Sequence, residues 1–239
     1  MKQVCFSTSK FLIVLILLAT GLIISCGSGN QQVLNQGVWR GVIQVQGREL
    51  PFNFEVTQSE SMSYQIHLVN GEEQITTNDV RIVGDSLFAT MHIFDTELKV
   101  RLSKKRMRGV WVKNYEENYS LPFKASYGDS YRFESGNDAA VDISGKWRVN
   151  FSADSIPGVG IFQQQQEKVV GTFLTGSGDY RYLDGLVIGD SIFLSAFDGE
   201  HAFLFNAKVN PNEKTMKGEF RSGSHFFDTW RAEQNPTTE

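Results

Sequence analysis

Beyond its amino-terminal segment the chain alternates apolar and polar positions with a period of two, and no convincing run keeps the 3.6-residue period of a helix. The alternation is plainest in Val42-Ile-Gln-Val45, Phe52-Asn-Phe-Glu-Val56, Tyr64-Gln-Ile-His-Leu68 and Phe203-Leu-Phe205. Gly, Asn, Asp and Ser punctuate these runs at intervals of roughly 8–12 residues, the spacing of an all-β meander, sandwich or barrel. Gly-Asp-Ser at 84–86 and again at 189–191 predicts a tight turn before an apolar strand. Asp198-Gly199 predicts a hairpin, and Asn210-Pro211-Asn212 another turn.

The pattern also repeats. Gly37-Val-Trp39-Arg40 returns as Gly145-Lys-Trp147-Arg148, and Val83-Gly-Asp-Ser-Leu-Phe88 as Ile188-Gly-Asp-Ser-Ile-Phe193. Phe94-Asp95 with Glu97 returns as Phe197-Asp198 with Glu200, Met107-Arg-Gly109 as Met216-Lys-Gly218, and Phe123-Lys-Ala125 as Trp230-Arg-Ala232. The span from first Trp to last aromatic is 84 residues in one copy and 83 in the other. Five blocks in one order over nearly equal spans mean a duplication. The expected fold is all-β: two tandem copies of an antiparallel meander or barrel, each of about 95 residues and about eight strands. The copies occupy 37–126 and 143–233, joined by a linker at 127–142 and followed by a tail at 234–239. The linker is polar and Gly-bearing, which leaves the halves free either to move independently or to pack face to face.

The amino end has a different logic. Lys2 and Lys10 precede an apolar run from Phe11 to Ile24, about 21 Å of helix and too short for a hydrocarbon core of about 30 Å. A basic start, a short apolar stretch and small residues at the break describe a secretory signal helix at 1–26. Its end, Ile23-Ile24-Ser25-Cys26-Gly27, resembles a bacterial lipobox, which implies lipid modification of Cys26 and lasting membrane attachment. Residues 27–36 (GSGNQQVLNQ) read as a polar tether. Loss of 1–26 removes two lysines and no acid, taking the net charge from −4 to −6. In some Gram-negative lipoproteins, the group that this lipobox resembles, an acidic pair after the cysteine is part of the surface-export signal; none follows Cys26, so the resemblance implies a periplasm-facing position.

Composition narrows the chemistry. With 239 residues, 41% of them hydrophobic and 18 of them Phe, the chain can build a sizeable core, and its acidic balance excludes a nucleic-acid role. Cys5 and Cys26 are the only cysteines, so beyond them there is no disulfide, thiolate nucleophile or Cys-ligated metal. His67, His92, His201 and His225 have no metal-ligand spacing and do not match between copies, so no metal or other cofactor is expected. Gly176-Ser-Gly178 lacks the strand–turn–helix context of a nucleophile elbow or phosphate loop, and catalysis by this chain is not expected.

The candidate recognition segment is 176–185, where flexible glycines flank Asp179, Tyr180, Arg181 and Tyr182, with Asp198 and His201 at the neighbouring turn. The alternative is a hairpin whose tyrosines pack on a neighbouring strand. Arg101-Leu-Ser-Lys-Lys-Arg-Met-Arg108 aligns with the Lys214–Lys217 turn and reads as a solvated hairpin tip, with contact to anionic lipid as the alternative. The Gly-x-Trp opening strand and the basic residue on the closing strand resemble lipocalin and avidin-like barrels. That resemblance implies barrel-end packing of Trp39 on Lys124 and of Trp147 on Arg231, with cation–π character.

A second resemblance covers about 37–233 and is most specific across Gly171 to Phe203. Gly178-Asp-Tyr-Arg-Tyr-Leu-Asp-Gly185, Leu194-Ser-Ala-Phe-Asp-Gly199 and Trp230-Arg-Ala232 resemble the amino-terminal extension of lipid-anchored TlpA/ResA-like thiol–disulfide reductases. It implies an envelope location and a redox or other envelope protein as partner. The family's Cys-x-x-Cys domain is not within these 239 residues, so the chain reads either as a stand-alone extension or as part of a longer reductase. The favoured function is a non-catalytic, lipid-anchored binding module. A carrier of a small apolar ligand inside one barrel, or an envelope hydrolase without a readable motif, are the alternatives.

Overall fold

The computed structural model describes residues 33–176 and 178–238, all of them in one compact unit. The signal segment, Cys26 and most of the tether lie outside the described residues. Every regular element among those described is a strand. The first copy contains β1 (Gly37–Val45), β2 (Arg48–Gln58), β3 (Tyr64–Asn70), β4 (Glu73–Thr77), β5 (Asp79–Val83), β6 (Ser86–Met91), β7 (Thr96–Ser103), β8 (Arg106–Lys113) and β9 (Ser120–Tyr127). The second contains β10 (Gly145–Phe151), β11 (Gly158–Gln165), β12 (Lys168–Thr175), β13 (Gly178–Ile188), β14 (Ser191–Phe197), β15 (Ala202–Asn210), β16 (Thr215–Ser222) and β17 (Phe226–Gln234).

The second copy is a closed eight-stranded antiparallel barrel, with β17 pairing back onto β10. The first copy has the same meander but is a nine-stranded, barrel-like sheet whose terminal strands, β4 and β5, share no ladder. These two short strands stand where the second copy has the single strand β13. Thr77-Asn78-Asp79 breaks the first: turn-forming side chains compete with the ladder here, and Asn78 is held instead by Gln65 at 2.7 Å. The second keeps its strand but bulges at the corresponding place, where Arg181 and Tyr182 oppose Thr172 alone and Tyr182 has φ of 53°.

The period-two pattern becomes two ring-filled interiors. In the second barrel Phe205 stacks on Phe220 at 4.1 Å, Phe173 lies 4.8 Å from Phe205, and Trp230 lies 5.1 Å from Phe173. A carrier of an apolar ligand needs open space along this axis, and aromatic side chains occupy it. The repeated Met-x-Gly block has a steric meaning. A Cβ on Gly109 would sit 2.0 Å from the Lys99 carbonyl oxygen, and one on Gly218 would sit 2.5 Å from both the Asn206 carbonyl oxygen and the Trp230 indole.

The copies are joined through a hairpin. The β14–β15 hairpin of the second barrel enters the core of the first sheet, where Phe197, Ala202 and Leu204 are buried with first-copy residues. The Phe197 ring lies 4.5 Å from Phe52 and 5.1 Å, edge-on, from Trp111. Its backbone is read by Asn70, which donates from Nδ2 to the Phe197 carbonyl at 2.8 Å and accepts the Phe197 N–H at 3.1 Å. At the turn, Thr96 Oγ1 (2.6 Å) and Trp111 Nε1 (3.2 Å) both donate to the Gly199 carbonyl.

The linker is tied into the same junction. Arg132, buried, donates to the Val69 carbonyl at 2.6 Å and to the Ser195 hydroxyl at 3.2 Å, with Asp184 at 3.4 Å to balance its charge. Burial pushes this guanidinium's pKa down and Asp184 opposes that. Of the two arrangements open to the halves, close packing is the one adopted.

Truncating Phe197 leaves a cavity under Phe52 and Trp111. Phe197→Ala is expected to cost about 3–5 kcal/mol of global stability in urea titrations followed by tryptophan fluorescence. A loss below about 1 kcal/mol would mean that the hairpin lies on the first sheet without completing its core.

Candidate functional site

The six candidate recognition residues come from two separate strand ends, and the fold brings them to one place. Asp179, Tyr180, Arg181 and Tyr182 on β13, with Asp198 and His201 at the β14–β15 turn, line one cleft of about 640 Å³ at the mouth of the second barrel. Phe203, Phe220 and Phe226 floor it, and Asn70 and Glu73 of the first copy supply one wall. The size falls within the range of small-ligand and side-chain pockets.

Tyr180 forms the inner boundary. It is half-buried, with its ring 4.7 Å from Phe220 and 5.1 Å from Phe203, and burial first, then the charges of Asp154 and Asp228, raises its phenol pKa. It therefore belongs to the barrel's aromatic stack as much as to the cleft. Arg181 lies outward and is held by Asp179 at 2.6 Å. Tyr182 is exposed at the bulge.

Asp198 organises the turn. Its Oδ1 accepts the N–H groups of Glu200 (2.8 Å) and His201 (2.6 Å), and its Oδ2 contacts His201 Nδ1 at 2.9 Å. The His201 ring stacks on Phe203 at 5.2 Å. The hydrogen bond to Asp198 raises the imidazole pKa against the opposing effect of burial. Burial pushes the Asp198 carboxyl up, but the hydrogen bonds from His201 and the turn outweigh it and leave its pKa below the ordinary value. Glu73 is displaced upward, by desolvation first and then by Asp198, with Arg181 opposing. No group of three or more His, Cys, Asp or Glu side chains among the described residues is placed to hold a metal ion.

The barrel-end pairs differ from expectation. Trp39 and Trp147 are buried, but each indole donates to a carbonyl four residues upstream: Trp39 to Asn35 at 2.9 Å and Trp147 to Ile143 at 2.8 Å. The chain entering each copy thus folds across its own tryptophan. Lys124 and Arg231 point to solvent, because period two puts them on the face opposite Phe123 and Trp230. Lys124 instead pairs with Glu49 at 2.6 Å. Among the described residues the cation over an indole is Lys113 on Trp111, 5.6 Å from the ring centre, and the same ammonium pairs with Glu200 at 3.0 Å across the junction.

Asn70, Glu73 and Phe226 escaped the sequence reading. The first two belong to the other copy, and only the tertiary junction carries them to the cleft. Phe226 had a signal: it and Phe227 are adjacent exposed rings in a strand that otherwise alternates.

The His201–Asp198 pair gives a pH signature. A raised imidazole pKa contributes stability that is complete below about pH 6.5 and is lost as pH rises through the folded value. The depressed Asp198 contributes above about pH 4 and loses that contribution as pH falls through its folded value. In an NMR titration His201 should have the higher midpoint relative to a free imidazole, and Asp198→Asn should lower it. An unchanged midpoint in that variant would contradict the pairing.

No protein-family model matches the chain, and no curated protein is significantly similar to it in sequence. Among solved structures it aligns with a protein of unknown function from the DUF3598 family of Nostoc punctiforme PCC 73102, at 9% identity and TM-score 0.28, over 83% of this chain and 94% of that one. It aligns with a candidate outer membrane protein of Bacteroides fragilis NCTC 9343 at 10% identity and TM-score 0.27, over 82% and 95%. The Myxococcus xanthus hemagglutinin, solved with α3,α6-mannopentaose, aligns at 13% identity and TM-score 0.18, over 83% and 88%. Likenesses this loose carry no argument about this chain, whose fold rests on its own strands and side chains.

Proposed function

We propose that this chain is a lipid-anchored β-barrel protein of the bacterial cell envelope, facing the periplasm, that binds a partner rather than catalysing a reaction. Its working surface is the cleft at the mouth of the second barrel. The observation that carries this reading is convergence: residues 179–182, 198 and 201 meet Asn70 and Glu73 around one aromatic floor. Aromatic anchors surrounded by polar groups are the composition of a recognition hot spot. The lipobox-like Ile23-Ile24-Ser25-Cys26-Gly27 supports the anchor and the location. The resemblance to the amino-terminal extension of TlpA/ResA-like reductases favours a protein partner in the same compartment, a thioredoxin-fold reductase in particular.

The test is site-specific photo-crosslinking in cells. A crosslinker replacing Arg181 should give a discrete protein adduct, and one replacing Lys217, exposed on the barrel wall, should not. Glu73→Lys should reduce the Arg181 adduct several-fold while leaving thermal stability unchanged. Equal adducts at both positions, or an adduct indifferent to Glu73→Lys, would overturn the assignment of the cleft.

A further inference from the structure

Like charges directly opposite one another on neighbouring strands are unfavourable, yet the first sheet carries a row of them. Arg101 on β7 faces Arg108 on β8, which faces Lys124 on β9. All three point to solvent. Glu49 pairs with Lys124, but among the described residues neither Arg101, Arg108 nor Arg106 forms an ion pair. The second barrel has the same row, Lys208–Lys217–Arg231, so the row by itself is a feature of the repeat.

The copies differ at the adjoining turn. The β15–β16 turn is Pro211-Asn-Glu-Lys214, without excess charge, whereas the β7–β8 turn adds Lys104, Lys105 and Arg106 to the row. Arg106, Arg108 and Lys124 also line a groove of about 540 Å³, which Arg40 joins from β1, so its four cations outnumber its two carboxylates, Glu49 and Glu134. The cationic turn sits where the chain enters the fold: Asn35 Nδ2 donates to the Lys104 carbonyl at 3.1 Å. Asn35 is nine residues from Cys26, so a fully extended tether places the turn within about 30 Å of that cysteine.

We infer that the β7–β8 turn and its cationic row form the membrane-facing surface of this protein, binding the phosphate groups of anionic lipids in the bilayer that holds the anchor. The inference rests on the proposed lipidation of Cys26. An anionic headgroup relieves the repulsion within the row, and a short anchor supplies the high local concentration that a polybasic patch needs for orientation. The second barrel's row lacks both the extra cations and the adjacent tether, and serves as an internal control.

The lipidated protein can be labelled cleanly, because Cys26 is consumed by the lipid and no other cysteine follows it. A fluorophore on Ser103→Cys reports the first turn and one on Asn212→Cys the second. The proteins are reconstituted into vesicles of phosphatidylcholine alone or mixed with phosphatidylglycerol, both carrying a headgroup quencher. Quenching at 103 should rise several-fold with phosphatidylglycerol, fall back at high salt, and vanish in R101E/R106E/R108E, with 212 unresponsive throughout. Equal quenching at 103 and 212, or no response of 103 to anionic lipid, would overturn the inference. If mass spectrometry shows no lipid and the protein fails to float with neutral vesicles, the anchor reading fails and this inference falls with it. A protein that floats but shows no selective quenching refutes the cationic surface alone.

Discussion

The burial of Phe197 between Phe52 and Trp111 is the contact on which the rest of the molecule depends. The first sheet does not close on itself, because Thr77-Asn78-Asp79 interrupts the strand that would complete it. An open sheet leaves apolar side chains and unpaired backbone groups at its edges. The second barrel adds one hairpin, packed against β2 and β3, whose apolar residues enter the first core and whose backbone is matched by Asn70, Thr96 and Trp111. The duplication therefore produced one interdependent pair rather than two equivalent beads.

The same constraint builds the cleft. Seating the hairpin turns Asp198 and His201 toward β13 and brings Asn70 and Glu73 of the first copy alongside. Residues that hold the halves together thus border those that line the cleft. Asp198 shows the overlap most clearly: it closes the turn through two amide N–H groups and raises the His201 pKa through its other oxygen.

Much of this was legible in the residues. Period two and the Gly-Asp-Ser turns specify strands because local sterics and turn chemistry are properties of short segments. The repeat exposes the tandem plan, and the glycine and tyrosine content of 176–185 marks the candidate edge. Long-range facts were hidden. Nothing in Phe197-Asp198-Gly199 says that its Phe enters the other copy's core, since an intramolecular plug and an exposed anchor have the same composition. Arg132 reads as one cation in a polar linker until Val69, Ser195 and Asp184 surround it. Lys124 and Arg231 went astray for a simpler reason: a basic residue next to an inward aromatic in a strand must face outward.

The central claim is that the first copy is completed by the second, and separate expression of the halves tests it most directly. Residues 143–239 should fold alone into a cooperative barrel with dispersed amide resonances. Residues 33–142 alone should give collapsed, poorly dispersed spectra without a cooperative thermal transition, and should recover both when mixed with the second half. A first half that folds alone, with a sharp transition near that of the intact chain, would contradict the account.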